Sequence, residues 1–121
     1  MTITEDNFES FVLASPVPVL VHFWAPWCGL CRRVTPLLNR FQQEWSDQVY
    51  VVDINADENL KLANQYRLQT LPTLLFLEHG QVVQRFDVVR NRDEFVRALD
   101  SLMRRHGPGV RVVQEARMGD G

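Results

Sequence analysis

Residues Val21 to Pro36 read VHFWAPWCGLCRRVTP, and they hold the only two cysteines of a 121-residue chain. Val19 to Trp24 is short and rich in β-branched and aromatic side chains, which predicts a buried strand. From Gly29 to Trp45 the apolar residues Val34, Leu37, Leu38, Phe41 and Trp45 recur at helical spacing, which predicts a long helix. Pro36 inside it should kink it. The cysteine pair therefore falls where a strand hands over to a helix, a kind of junction at which functional residues concentrate.

Outward from that unit the pattern stays alternating. TEDNFESFVLA near the N-terminus opens with helix-starting Thr4 and Asp6 and places Phe8, Phe11 and Val12 on one helical stripe, ended by SPVP. Val49 to Asn55 predicts a second buried strand, and Ala56 to Tyr66 a short amphipathic helix with Asp57 as its cap. Thr73 to Leu77 and Val82 to Val88 flank EHGQ, whose Gly80 suits a positive φ, so they predict a hairpin. RDEFVRALDSLM is a last amphipathic helix, ending at Met103 and capped near Asn91 to Asp93. The order α-β-α-β-α-β-β-α implies an α/β fold, a mixed central sheet with helices on both faces. Residues 1–103 form one domain on this pattern. Residues 104–121, broken at Gly107, Pro108 and Gly109, are expected to be a flexible tail in which Val110 to Val113 could add an edge strand or meet a partner.

Composition narrows the function. Apolar residues are 45% and charged residues 23%, ordinary globular values, and a net charge of −2 offers no handle for nucleic acid or an acidic membrane. The start, MTITEDNFES, lacks the basic beginning and apolar run of a secretory signal, and the apolar stretches are strand-sized. A soluble, cytoplasmic, monomeric protein is expected. In that compartment thiols are kept reduced, so a close cysteine pair points to catalysis or metal binding rather than to a structural staple.

A thiol at Cys28 would lie beside free N–H groups at the start of the long helix, where negative charge is favoured, so thiolate is favoured over thiol. Cys31, one turn on, projects from the same face and can reach it. The disulfide closes a very small loop and is suited to being made and broken. Attack by Cys28 on a substrate disulfide, with Cys31 resolving the mixed disulfide, is the chemistry implied. A C-x-x-C pair can also be half of a zinc site or bridge a cluster between chains. Structural zinc wants four ligands, however, and His79 and His106 fall in a turn and a tail rather than at ligand spacing. No metal, and no cofactor beyond a Cys28–Cys31 disulfide, is expected.

These motifs together resemble the thioredoxin family. FWAPWCGLC is similar to its active-site segment, Arg32 matches the basic residue after the second cysteine, Pro36 falls at the family's helix kink, and Gly80 at its hairpin turn. TLPT, Thr70 to Thr73, resembles the family's cis-proline loop, which implies that Pro72 rests against the disulfide and supports substrate backbone. The resemblance runs from about residue 3 to 103 and implies protein-disulfide substrates and an upstream thioredoxin reductase. It makes Trp27, Gly29, Leu30, Leu71, Pro72 and Val88 the substrate surface.

Three positions depart from the family pattern. Gly29-Leu30 replaces the usual Gly-Pro between the cysteines, as it does in atypical cyanobacterial thioredoxins. Loss of that proline implies a midpoint potential between about −270 mV, thioredoxin's, and about −180 mV, that of protein disulfide isomerase. His22 stands where the family has a buried aspartate and Asp53 where it has a lysine, so acid and base have exchanged strands. They resemble a Cys-His-Asp relay in which Asp53 orients the imidazole and His22 takes the proton of Cys31. The plainer reading is a hydrogen-bonded core histidine with its partner. Val88 replaces a glycine at the partner-facing surface, which implies an unusual electron donor. A client-binding chaperone or redox sensor, using the apolar surface around the cysteines, is the alternative from another class.

Overall fold

The computed structural model describes residues 2–87 and 91–106. Its strands are β1 (Val19–Trp24), β2 (Tyr50–Asn55), β3 (Thr73–Glu78) and β4 (Gln81–Phe86), and its helices α1 (Gly29–Trp45), α2 (Leu60–Gln65) and α3 (Arg92–His106). The sheet order is β2-β1-β3-β4, with β1 parallel to β2 and antiparallel to β3, and β4 antiparallel to β3. This is the mixed sheet the alternating pattern predicts.

Side-chain alternation along β1 divides the core. Val19, Val21 and Phe23 point to the face covered by Ile3, Phe8, Val12 and Leu62, so the N-terminal segment and α2 lie there. Leu20 points the other way, onto Val34, Leu38 and Phe41 of α1 and Phe95, Leu99 and Met103 of α3. His22 has the parity of Leu20. The strand therefore delivers an imidazole to the α1 side of an otherwise apolar sheet.

Three local expectations change. The N-terminal helix is a π-helix, Glu9–Leu13, closed by the Ala14 N–H donating to the Glu9 carbonyl at 3.0 Å. Its wider turn keeps Phe8 and Val12 in the core and turns Phe11 out, 46% exposed, so the expected three-residue stripe is reduced to two. The α2 helix begins only at Leu60, because the Asn55 side-chain oxygen accepts the N–H groups of Asp57 and Glu58 and holds that stretch as a turn. Asp57 does not cap it. Glu5 does, its Oε2 accepting from the N–H groups of Lys61 at 2.7 Å and Leu62 at 3.2 Å.

The hairpin turn has both His79 (φ 52°) and Gly80 (φ 78°) in the left-handed region, the type I′ geometry that matches strand twist. A Cβ at Gly80 would also lie 3.2 Å from the Leu13 carbonyl oxygen. At the start of α3 the Asn91 side-chain oxygen accepts the Glu94 N–H at 3.0 Å, the cap expected there. The helix then continues through Arg104, Arg105 and His106, past the expected end at Met103. Val88 and the rest of the tail, Val110 to Val113 included, lie outside the described residues. Tyr66 packs against Phe8 and Phe23 at ring separations of 5.9 and 6.1 Å, and burial pushes its phenol above the usual 10.0.

Candidate active site

The chain leaves β1 at Trp24 and turns through Ala25 and Pro26, the Cys28 N–H donating to the Ala25 carbonyl at 3.0 Å. Cys28 is extended (φ −90°, ψ 102°) and caps α1, its Sγ accepting the Cys31 N–H at 3.1 Å. The two cysteines are joined in a disulfide with Cα atoms 5.4 Å apart. They are 5% and 3% exposed, so burial hardly distinguishes them. Their surroundings do.

On one side is an open apolar surface. Trp27 is 69% exposed and Leu30 54%, while Leu71 is half-buried and Pro72 buried after a cis Leu71–Pro72 bond, as the resemblance implied. Trp27 is not loose: its indole N–H donates to Asp57 at 2.8 Å. The space over Gly29 is empty, since an added Cβ would meet nothing within 4 Å. Arg85 on β4 donates to the carbonyls of Tyr66 and Arg67 and to Asp87, which ties the chain leading into the proline loop to the sheet.

On the other side is a cleft of about 410 Å³, lined by Cys31, Arg32 and Thr35 of α1 and by His22, Trp24 and Asp53 of the sheet. His22 and Asp53 are direct partners in the parallel β1–β2 register, and His22 Nδ1 lies 3.0 Å from Asp53 Oδ1. The exchange of strands seen in the sequence is thus a contact. The imidazole is the buried member, 2% exposed, whereas the Asp53 side chain keeps 39% of its surface. Ile3 fastens the Asp53 backbone, its N–H donating to the Asp53 carbonyl at 2.9 Å. His22 Nε2 is buried and finds no hydrogen-bond partner among the described residues.

The structure brings together Cys28, Cys31, Trp27, Gly29, Leu30 and Pro72 at the head of α1, and His22 and Asp53 behind Cys31. Val88 is outside the described residues. Among those residues no group of three or more His, Cys, Asp or Glu is arranged to hold a metal ion, and no helix is long and apolar enough to cross a membrane. Sequence reasoning assigned Asp57 to a helix cap and missed that it holds Trp27. It also passed over Arg33 and Arg92, which come to line one groove only in the folded chain. Asp57 lies 30 residues from Trp27, and no local pattern signals such a pairing.

The comparisons agree with this geometry. The thioredoxin family model matches residues 1–101. Thioredoxin 1 of Synechococcus elongatus is 49% identical over 81 residues, covering 67% of this chain and 76% of its own length. Over the same shares of both chains, the thioredoxins of Synechocystis sp. and Haemophilus influenzae are 44% and 41% identical. A disulfide made and broken between Cys28 and Cys31 is the chemistry that a family of this kind performs on protein disulfides, with a reductase to restore the dithiol. The chain belongs to the thioredoxin family and is a protein-disulfide oxidoreductase.

Proposed function

We propose that the cytoplasmic, dithiol form acts as a monomer in which Cys28 attacks and Cys31 resolves, with His22 and Asp53 managing the proton of Cys31. The Cys28 thiolate attacks one sulfur of a substrate disulfide, and the other sulfur leaves as a thiolate. Cys31, losing its proton to His22, then attacks Cys28 in the mixed disulfide and expels the second substrate sulfur. The substrate ends as two thiols once protonated. The protein ends as the Cys28–Cys31 disulfide, which the reductase must reduce again.

The observation that carries this reading is the asymmetry around the disulfide. Cys28 caps the helix beside exposed Trp27 and Leu30, where a large partner can reach it. Cys31 lines the cleft that holds a buried imidazole with a free Nε2 and an anchored Nδ1. Asp53 accepting from Nδ1–H keeps Nε2 as the acceptor tautomer, which is the one that can take a proton. Trp27, Gly29, Leu30, Leu71, Pro72 and Val88 form the substrate surface in this reading, and open space over Gly29 suits close approach of a partner.

The test is the pair of single serine variants. Cys31→Ser should accumulate a covalent adduct with a disulfide substrate, seen by mass as protein plus one substrate half and released by a small thiol. Cys28→Ser should form none. An adduct accumulating on Cys31 in the Cys28→Ser variant instead would reverse the assignment.

A further inference from the structure

Beside the reaction surface a groove of about 460 Å³ runs between α1 and the start of α3, lined by Leu30, Arg33, Val34, Leu37, Pro72 and Arg92 among others. Its floor is apolar and its edges carry two exposed guanidinium groups. It is continuous with the surface where exchange occurs, because Leu30 lies between the cysteines and Pro72 is the cis proline.

Neither arginine is explained by the fold. Among the described residues neither Arg33 nor Arg92 has an ion-pair or hydrogen-bond partner. Arg32 next door differs, donating to the Pro26 carbonyl at 3.0 Å. Arg33 is the fifth residue of α1, just past its first turn, and no Asp or Glu occurs from Ala25 to Gln43 to pair with it along that helix. Asp93 and Glu94 follow Arg92 in the first turn of α3, but they do not line the groove. The chain as a whole is anionic, at −2, so this positive edge is local.

We propose that this groove selects among protein disulfides, favouring those with an Asp or Glu within a few residues of the reactive cysteine. Arg33 and Arg92 pair with the carboxylates while Leu30, Val34, Leu37 and Pro72 pack the apolar side chains of the same extended segment. The selectivity rests on the Cys28–Cys31 exchange proposed above and leaves its chemistry unchanged. It acts on encounter and on the lifetime of the docked complex, where complementary charge has its effect.

The experiment uses three disulfide peptides of one sequence, differing only in whether Asp, Asn or Lys flanks the reactive cysteine. Their reduction rates by the dithiol protein are compared at low ionic strength. The Asp peptide should be reduced about three- to tenfold faster than the Asn peptide, as expected for one or two exposed charge pairs, and the Lys peptide slowest. Salt at about 0.5 M should largely erase the difference. The Arg33→Glu, Arg92→Glu double variant should invert the order, which loss of fold cannot do. If that variant is slow on all three peptides, Arg33→Gln and Arg92→Gln decide, each expected to remove part of the preference. Equal rates for the Asp and Asn peptides, or a preference untouched by the arginine variants, would overturn the proposal while leaving the exchange reading intact. Failure to reduce any peptide would sink both.

Discussion

The two flanks of the Cys28–Cys31 disulfide are built from opposite materials. Toward the groove lie exposed Trp27 and Leu30, empty space over Gly29, and two arginines with no partner among the described residues. Toward the cleft lies a histidine that is 2% exposed, held by a carboxylate on the neighbouring strand. On the proposed mechanism the open apolar surface receives the substrate, and the buried, oriented imidazole handles the proton of Cys31. One turn of helix separates the two tasks, because residues at i and i+3 share a helix face yet meet different neighbours.

The largest effect expected from disturbing the open side is on redox equilibrium. Titrated against glutathione, the Cys28–Cys31 couple should have a midpoint between about −270 and −180 mV, and Leu30→Pro should lower it. For a two-electron couple each 30 mV is about tenfold in the exchange constant. A wild-type midpoint at or below about −270 mV would mean that Leu30 does not set the potential. A smaller effect is expected on the closed side. A buried nitrogen without a partner costs roughly 1–3 kcal/mol, and Asp53 stays hydrated if its partner is lost. His22→Leu should therefore leave the stability of the protein unchanged, or raise it by about 1 kcal/mol, while damaging turnover. Chemical denaturation gives the answer. A loss of several kcal/mol would make His22 a structural residue.

What the sequence shows in advance follows how local each feature is. β1 and α1 lie where their apolar periodicity puts them, because burial on one face and a strand-to-helix handover are written in consecutive residues. The exchange of His22 and Asp53 between strands is also legible, since parallel pairing keeps residues at matched offsets opposite each other. Which of the two is buried is not, because Asp53 owes its 39% exposure to its position at the rim of a cleft that α1 and the N-terminal segment form together. The cap of α2 comes from Glu5, 56 residues before Lys61, and the grip on Trp27 from Asp57. Phe11 fits the helical stripe by spacing and still turns outward, because a π-helix changes which residues align. Arg33 and Arg92 are ordinary surface charges until the fold sets them along one groove.

The division of labour across the disulfide is tested most directly by separating the two chemical steps in a rapid-quench experiment on the wild-type protein and His22→Ala. Formation of the mixed disulfide at Cys28 should remain within about twofold of the wild type, while its resolution by Cys31 slows by roughly a hundredfold, the scale of a lost general base. Equal slowing of both steps, or of neither, would contradict the account and leave His22 and Asp53 as a hydrogen-bonded pair in the core.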